Sequence, residues 1–239
     1  MNDNSTAFLV PTTSRGREWK TIEESYLNSI LFKSMEQVPM GVDISVFVGF
    51  DNDDPIFSKE ENQLKLSAIY TKFDIKWCPM KPAGGNVVGI WNDLCILAHR
   101  EGFMWYMVLG DDIRLPRDGG WLRLFQKAVK KNNYIGWAAG WSNNDDIATQ
   151  FLIHDTHRQI YEFVYPPQLT NWYCDNWLFS IYPQKYRYWR RDYPLLNAGG
   201  TPRYVPKDDA NLCKRLLKRH SKDLPEFLNL VNKIKSNNK

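Results

Sequence analysis

The sequence lacks the features that mark several classes of protein. Its four cysteines are scattered through 239 residues and form no Cys-x-x-Cys pair, which argues against a zinc ribbon and favours reduced thiols in a cytosol-like compartment. No apolar run approaches the roughly 20 residues that span a bilayer. The first residues also carry no basic and apolar signal region. We therefore expect a soluble, cytoplasmic protein without a membrane span.

Strong charge and the usual nucleotide-binding fingerprints are missing too. The net charge of +4 is mild; it suits an anionic ligand, but the chain has no basic stripe of the kind that binds nucleic acid. It contains neither a Gly-x-Gly-x-x-Gly fingerprint nor a Gly-Lys-Ser/Thr sequence, so neither NAD binding nor a P-loop is predicted. The acidic segment at residues 51–55 lacks the glycine and the glutamate of an EF-hand calcium loop.

The composition that remains is that of a globular domain. Hydrophobic residues make up 43% and charged residues 24% of the chain, as in ordinary soluble proteins. A chain of this length can bury a sizeable core as one domain. Aromatic residues make up 14%, with ten tryptophans, and this content suits sugar or base stacking as well as core packing.

Apolar segments alternate with amphipathic ones along the first half of the chain. We predict strands at residues 7–10, 44–50, 73–78 and 104–109, with helices between them. This alternation is typical of a doubly wound α/β fold, with a mostly parallel central sheet and helices on both faces. Farther along, we predict a helix at 121–131, strands at 134–139 and 151–153, and a helical pair at 207–235 that is interrupted at Pro225.

The predicted strand at 104–109 is the most apolar, and it ends in Gly110-Asp111-Asp112. In open α/β sheets, ligands bind beyond the carboxyl ends of the strands. Two carboxylates at such a position suit a hard divalent cation that is bound to a phosphate. Asp111 and Asp112 are therefore candidate metal ligands. The alternative is a surface turn, since Gly-Asp is common in turns.

Polar residues also follow the other predicted strands. The loop after the first strand carries Thr12 and Arg15, which suit a nucleotide base or phosphate; the alternative is a solvated turn. Asp51, just past the second strand, is a candidate acceptor for a base or a ribose. Asn92 lies near the start of the helix that leads into the central strand. The segment at residues 81–86 is flexible enough to close over a ligand.

A second informative segment, residues 171–179, places Asp175 among large aromatic side chains. A low-dielectric wall raises the pKa of a carboxylate and can suit a general base. The alternative is that Asp175 is the N-cap of a helix running to about Tyr182, with Trp172 and Trp177 in the core.

Together these motifs resemble those of nucleotide-sugar glycosyltransferases of the GT-A fold. The segment at residues 10–15 resembles the donor loop after the first strand, and Asp51 stands where the family keeps its base-recognising acid. Gly110-Asp111-Asp112 resembles the D-x-D motif, with glycine in place of the first acid. The segment at 172–177 resembles the Trp-Asp-Asp-Trp segment of inverting N-acetylglucosaminyltransferases, in which an acid is the general base. The layout is also similar to that of the small glycosyltransferases of chlorella viruses, which build capsid glycans.

The resemblance implies an inverting transfer of a sugar to a hydroxyl of a glycan or glycoprotein. Asp175 would be the catalytic base, and Asp112 with help from Asp111 would hold manganese, for which magnesium can substitute. The donor is often a UDP-sugar in this family. The donor contacts would come from Thr12, Arg15, Asp51, Asn92 and Asp111.

The same resemblance implies a single GT-A domain over residues 1–239. Its donor-binding half would span about 7–115, its acceptor-side half about 116–205, and a helical tail about 206–239. A viral origin would place the protein in the cytoplasm of the host.

Two other functions compete with this interpretation. Gly-Asp-Asp between apolar residues also resembles the catalytic hairpin of RNA-dependent RNA polymerases, a type of nucleotidyl transferase, although the chain is too short and too weakly basic for a polymerase. A non-catalytic sugar-binding module would use the aromatic residues without chemistry. His154 and His157 are candidate acceptor contacts or metal ligands, with structural roles favoured. Spacing predicts neither the transferred sugar nor the oligomeric state.

Overall fold

The computed structural model describes residues 5–37, 41–200 and 207–237. Within them, seven strands form the main sheet, and two short strands at Ile113–Arg114 and Leu196–Asn197 form a second one. The strands are β1 Thr6–Pro11, β2 Ile44–Asp51, β3 Asp74–Met80, β4 Trp105–Val108, β5 Ile113–Arg114, β6 Trp137–Trp141, β7 Phe151–His154, β8 Arg187–Pro194 and β9 Leu196–Asn197.

The main sheet has the strand order β3-β2-β1-β4-β7-β6-β8. The first four strands in this order are parallel neighbours, and β6 is parallel to β8. Only β7, among the described strands of this sheet, runs antiparallel to its neighbours β4 and β6. The predicted α/β fold with a mostly parallel sheet is confirmed. The carboxyl ends of β1, β2, β4 and β6 therefore lie along one edge.

The reversal at β7 has a simple cause in chain length. β6 ends at Trp141 and β7 begins at Phe151, so residues 142–150 connect them. A parallel neighbour needs a crossover of a dozen or more residues, usually with a helix. The connection is too short for that, and β7 returns antiparallel to β6. The loop at 142–150 consequently stays at the edge where the other strands end.

Helices cover both faces of the sheet. They are a 3-10 turn at Ile22–Glu24, a π-helical segment at Leu27–Phe32, α1 Lys33–Glu36, α2 Glu60–Ile69, α3 Val87–Arg100, α4 Trp121–Lys131, α5 Thr156–Tyr161, α6 Cys174–Ile181, a 3-10 turn at Gln184–Tyr186, α7 Ala210–His220 and α8 Asp223–Asn237.

Strand β1 shows how the two faces are buried. Phe8 packs with Trp121 of α4 in one hydrophobic cluster, whereas Leu9 packs with Leu94 of α3 in another. Side chains of a strand alternate between faces, and here every side chain of β1 is buried. A strand that is buried on both faces reads as a continuous apolar run, which is why the sequence predicts these strands well.

The tail differs from its prediction in one respect. The break between α7 and α8 falls at residues 221–222, and Pro225 lies in the first turn of α8. The prediction that Pro225 interrupts the pair is wrong, because the first turn of a helix has no N–H partner for a proline to remove. Among the described helices, none combines the length and the apolarity needed to cross a membrane. Parts of the predicted domain, residues 1–4, 38–40, 201–206 and 238–239, lie outside the described residues.

Candidate active site

Two adjoining cavities open at the carboxyl edge of the sheet. They share Pro11 and Val87 in their walls. The first cavity, of about 410 Å³, is enclosed by the loops after β1 and β2 and by residues 82–87 before and at the start of α3. The second, of about 460 Å³, is enclosed by residues after β4 and β6 and at the start of α6. These volumes are typical of small-molecule sites.

Asp51 organises the first cavity. Its Oδ1 accepts a hydrogen bond of 2.9 Å from the backbone N of Ala83, which ties the loop at residues 81–86 to the end of β2. Its Oδ2 lies 3.5 Å from Nε of Arg15. Arg15 also contacts Asp53, with 2.6 Å between Nη2 and Oδ1. The guanidinium of Arg15 is thus held between two carboxylates on the wall of this cavity.

Asp54, which the sequence analysis does not single out, fixes the loop after β1. It is fully buried, and its carboxylate accepts hydrogen bonds from Thr13, from the backbone and hydroxyl of Ser14, and from the backbone of Ile56 and Phe57. Burial raises the pKa of Asp54, but these hydrogen bonds outweigh burial and hold the pKa below its usual value. The only sequence signal for Asp54 is the acidic segment at residues 51–54, and this segment does not show which of its acids faces inward.

Asp111 is buried beside the first strand. Its side chain has no exposed surface, and its Oδ2 accepts a 2.7 Å hydrogen bond from the hydroxyl of Thr12. This bond joins the ends of β1 and β4, which are neighbours in the sheet. The roles of Asp111 and Thr12 as donor contacts stay predictions, and the structure gives the pair a role in holding two site loops together.

Asp112 faces the second cavity. The chain turns back after it through the β5–β9 pair, and the backbone O of Asp112 accepts from N of Ala198 at 2.9 Å. This brings Gly199 against the carboxylate: a Cβ added to Gly199 would lie 2.2 Å from Oδ2 of Asp112. Glycine at position 199 is therefore required by the close approach of the backbone to this side chain.

The described residues fit a metal that arrives with a phosphate ligand. They contain no group of three or more His, Cys, Asp or Glu residues that could hold an ion by themselves. Magnesium-like ions are usually held by one or two carboxylates together with substrate phosphates, and Asp112 offers one such carboxylate to the second cavity. The donor set at Asp112 matches this mode and does not match a closed, all-protein site.

Arg17 brings positive charge to the second cavity. Its Cζ lies 4.8 Å from the ring centre of Tyr26 and 5.9 Å from that of Trp19, so two aromatic faces hold the guanidinium. The hydroxyl of Tyr26 accepts from N of Gly200 at 3.1 Å. The sequence predicts a phosphate contact for Arg15, whereas the structure places Arg17 in the cavity with Asp112 and Arg15 in the other one.

Asp175 lies in the first turn of α6 and lines the second cavity. Tyr173 is the N-cap of this helix, so the alternative interpretation of Asp175 as the N-cap is wrong. The Oδ1 of Asp175 lies 3.3 Å from the hydroxyl of Tyr165 and 3.7 Å from the thiol of Cys174. Burial raises the pKa of Asp175 to about 7, and the hydrogen bonds from Tyr165 and Cys174 act in the opposite direction. The carboxyl can therefore gain and lose a proton near neutral pH.

Asn92 makes structural contacts. Its Oδ1 accepts from N of Val164 and N of Tyr165, and its Nδ2 donates to O of Tyr165. These bonds fasten α3 to the residues that precede α6. The predicted donor contact of Asn92 stays a prediction, and we leave it out of the proposed site.

The two candidate histidines also have structural surroundings. His154 bonds to Thr156 and packs against the rings of Trp105 and Tyr134. His157 is buried, with Nδ1 at 2.9 Å from the hydroxyl of Tyr182 and Nε2 at 3.0 Å from O of Val164. Burial lowers the pKa of His157 to about 4, which keeps the ring neutral. The favoured structural interpretation fits both residues.

Comparisons with known proteins bear on the fold. The sequence matches no protein-family profile and no curated protein sequence. Among solved structures, the chain is similar to the mannosyltransferase PcManGT from Pyrobaculum calidifontis, which was solved in complex with GDP-Man and Mn²⁺: the TM-score is 0.55 and the identity 12%, over 86% of this chain. The chain spans 58% of the length of that mannosyltransferase.

A second similar structure is a cytidylyltransferase from Leptospira borgpetersenii serovar Hardjo-bovis. Its TM-score is 0.51 and its identity 9%, over 98% of this chain and 95% of the other. At such identities the likeness shows the fold. It establishes an α/β architecture shared with these two transferases, and the function has to be argued from the site.

Proposed function

We propose that this protein is a metal-dependent, inverting glycosyltransferase that moves a sugar from a nucleoside diphosphate donor to a hydroxyl of a glycan acceptor. The proposal rests on the second cavity, which brings three suitable groups together. They are Asp112, an acid suited to metal, Arg17, a cation stacked on aromatic rings, and Asp175, a carboxyl whose pKa burial raises to about 7. The first cavity, which adjoins the second, gives room for the nucleoside. The GT-A resemblance of the motifs favours a UDP-sugar.

In this proposal the donor spans both cavities. The base and ribose lie in the first cavity, against Asp51, Arg15 and the loop at residues 82–87. The diphosphate would enter the second cavity from the junction, where Asp112 would hold a manganese or magnesium ion and Arg17 would add positive charge. A bound divalent ion of this kind neutralises charge that develops on a leaving phosphate. Thr12 and Asp111 keep the ends of β1 and β4 in register under the donor.

Asp175 acts as the general base. It accepts the proton of the acceptor hydroxyl as that oxygen bonds to the anomeric carbon, and the bond from the anomeric carbon to the diphosphate oxygen breaks with its electron pair. Attack from the face opposite the leaving group inverts the configuration. A base works best when its pKa lies near the working pH, and the raised pKa of Asp175 meets this condition.

The test is a screen of nucleotide sugars with wild-type protein and three variants. UDP- and GDP-sugars are each incubated with and without Mn²⁺, and released nucleoside diphosphate is measured. We expect metal-dependent release by the wild type and a loss of that release of about 100-fold or more in Asp112→Asn. Once the active donor is paired with an acceptor sugar, Asp175→Asn should lose about 100-fold or more of transfer. Asp146→Asn, an exposed acid in the loop after β6, is the matched control and should keep full activity.

Other outcomes identify the rival functions. Release of pyrophosphate from a nucleoside triphosphate and a sugar would identify a nucleotidyl transferase and contradict the proposal. The absence of nucleoside diphosphate release from every donor, together with no thermal shift by any nucleoside diphosphate, would favour a non-catalytic sugar-binding module.

A further inference from the structure

Trp172 is exposed beside the candidate catalytic residues. Its exposure is 47%, whereas Trp177, five residues later, is fully buried. Trp172 lines the second cavity together with Asp112 and Asp175. The alternative interpretation, in which Trp172 and Trp177 both lie in the core, is therefore wrong for Trp172. Its indole presents a large apolar surface where the sugar chemistry is proposed to occur.

The backbone around Trp172 is fixed. Asn171 is buried, and its Oδ1 accepts from N of Trp172 at 2.7 Å and from N of Lys207 at 3.3 Å. Tyr173 has a φ of 69°, a left-handed conformation that is costly for an aromatic residue and collects at functional sites. A platform that is already held loses little conformational entropy when a ligand binds to it.

Uncharged polar side chains stand elsewhere in the same cavity. Ser142, Asn143 and Asn144 belong to the loop after β6. The amide of Asn143 donates to O of Asn197, and Oδ1 of Asn144 accepts from N of Asp146 and N of Ile147. Amide and hydroxyl groups can bond a sugar hydroxyl as donor or as acceptor. An aromatic surface with a few placed polar groups is the usual composition of a site for a small organic ligand.

We propose that Trp172 is the stacking platform of the acceptor subsite and that the acceptor is a pyranoside, whose ring lies on the indole with one hydroxyl directed to Asp175. The C–H face of a pyranose suits the indole, and its rim of hydroxyls suits Ser142, Asn143 and Asn144. Among the described residues that line this cavity, Arg17 is the one cation, and it is assigned to the diphosphate. An uncharged sugar ring fits the remaining surface better than an anionic acceptor does. The inference rests on the proposed function.

The experiment compares Trp172→Ala and Trp172→Phe with the wild type. The probes are p-nitrophenyl pyranosides of glucose, galactose, mannose, xylose, fucose, rhamnose and N-acetylglucosamine, each with the active donor and Mn²⁺. We expect the Ala variant to raise the acceptor KM by about ten-fold or more, since it removes most of the apolar contact. The Phe variant should stay within about three-fold, because it keeps an aromatic face. Donor hydrolysis without acceptor is measured in both variants as well, because a variant that changes acceptor binding and not donor binding alters the acceptor KM far more than this rate.

Leu64→Ala is the control for loss of an exposed apolar side chain, since Leu64 is 62% exposed and lies on α2, away from both cavities. An acceptor KM that is unchanged in Trp172→Ala would overturn the inference. Donor hydrolysis by the wild type would in that case still support the proposed function. A wild type that hydrolyses a donor but binds and modifies no pyranoside would overturn the inference as well.

If the wild type hydrolyses no donor, the proposed function fails and Trp172 is still tested by binding. Saturation-transfer NMR with the methyl pyranosides should then show binding that Trp172→Ala loses. The absence of binding to the wild type would overturn the pyranoside site.

Discussion

Replacing Asp175 with asparagine should lower transfer by about 100-fold or more and stabilise the fold at alkaline pH. Burial raises the pKa of Asp175 from 3.8 to about 7. At pH 8 the folded protein therefore carries a carboxylate in surroundings that favour the neutral acid, whereas the unfolded chain ionises the same group near pH 4. Asparagine has almost the same shape, keeps an oxygen that can accept from the hydroxyl of Tyr165 and has no charge to bury.

The magnitude follows from proton linkage. A tenfold difference in proton affinity corresponds to about 1.4 kcal/mol, so the raised pKa costs the folded state up to about 4 kcal/mol above pH 7. Asp175 keeps partial contact with solvent, and screening reduces this cost to about 1–2 kcal/mol. For a chain of this size, Asp175→Asn should then raise Tm by about 2–8 °C at pH 8.

The sign of the effect depends on pH in a defined way. Because the folded pKa of Asp175 is raised, the destabilisation is complete above about pH 7 and is lost as the pH falls toward the unfolded pKa near 4. The gain in Tm of Asp175→Asn should therefore shrink between pH 8.0 and pH 4.5. Thermal denaturation followed by circular dichroism measures both values.

Asp146→Asn serves as the matched control, because Asp146 is exposed. It should change Tm by less than about 1 °C at either pH. If Asp175→Asn melts at or below the wild-type temperature at pH 8.0, the buried charge of Asp175 does not destabilise the fold. An equal gain at both pH values would also argue against this effect of the charge, since the stabilisation would then have a cause other than the ionisation of Asp175.

Changes elsewhere separate the roles of the site residues. The kcat/KM of transfer should rise tenfold per pH unit up to about pH 7 and level off as Asp175 loses its proton; a flat profile from pH 5 to 9 would contradict its role as base. Mn²⁺ should raise Tm much more with a nucleoside diphosphate present than without one, and Asp112→Asn should remove this difference. Arg17→Ala should lower kcat by about 100-fold, and Arg17→Lys should keep part of the activity. Arg15→Ala should instead raise mainly the donor KM. Equal effects of the two alanine variants would count against the assignment of Arg17 to the diphosphate. Gly199→Ala should weaken metal-dependent nucleotide binding in calorimetry, because its Cβ would meet Asp112 at 2.2 Å, whereas Gly120→Ala has no contact under 3.4 Å and should bind normally.

The sequence predicts the central strands well because β1 and β4 are buried on both faces. The edge strand β8, whose residues are half-buried or exposed, is not among the predicted strands. The continuous apolar run that becomes Trp105–Val108 lies at the centre of the sheet, and the acids after it lie at the carboxyl edge. The direction of β7 depends on the length of the loop at 142–150 and on which strand offers a free edge. A periodic pattern does not contain that information.

The side chains of the site were less predictable, because loop geometry decides which of two neighbours faces a ligand. Arg15 and Arg17 lie two residues apart, yet the bonds of Asp54 to the loop and the rings of Trp19 and Tyr26 separate them into different cavities.

The same limit applies to the tryptophans of the segment at 171–179. Trp172 and Trp177 flank Asp175 in sequence, but the left-handed backbone at Tyr173 leaves one exposed and the helix buries the other. Composition alone gives both the same preference for the core.

A crystal structure with UDP and Mn²⁺ would show directly whether the two cavities hold a nucleotide and its metal, because the anomalous scattering of manganese marks the ion independently. We expect an anomalous peak beside the carboxylate of Asp112, the diphosphate between that peak and Arg17, and the nucleoside in the first cavity against Asp51. Manganese bound elsewhere, or a nucleotide outside the two cavities, would contradict it.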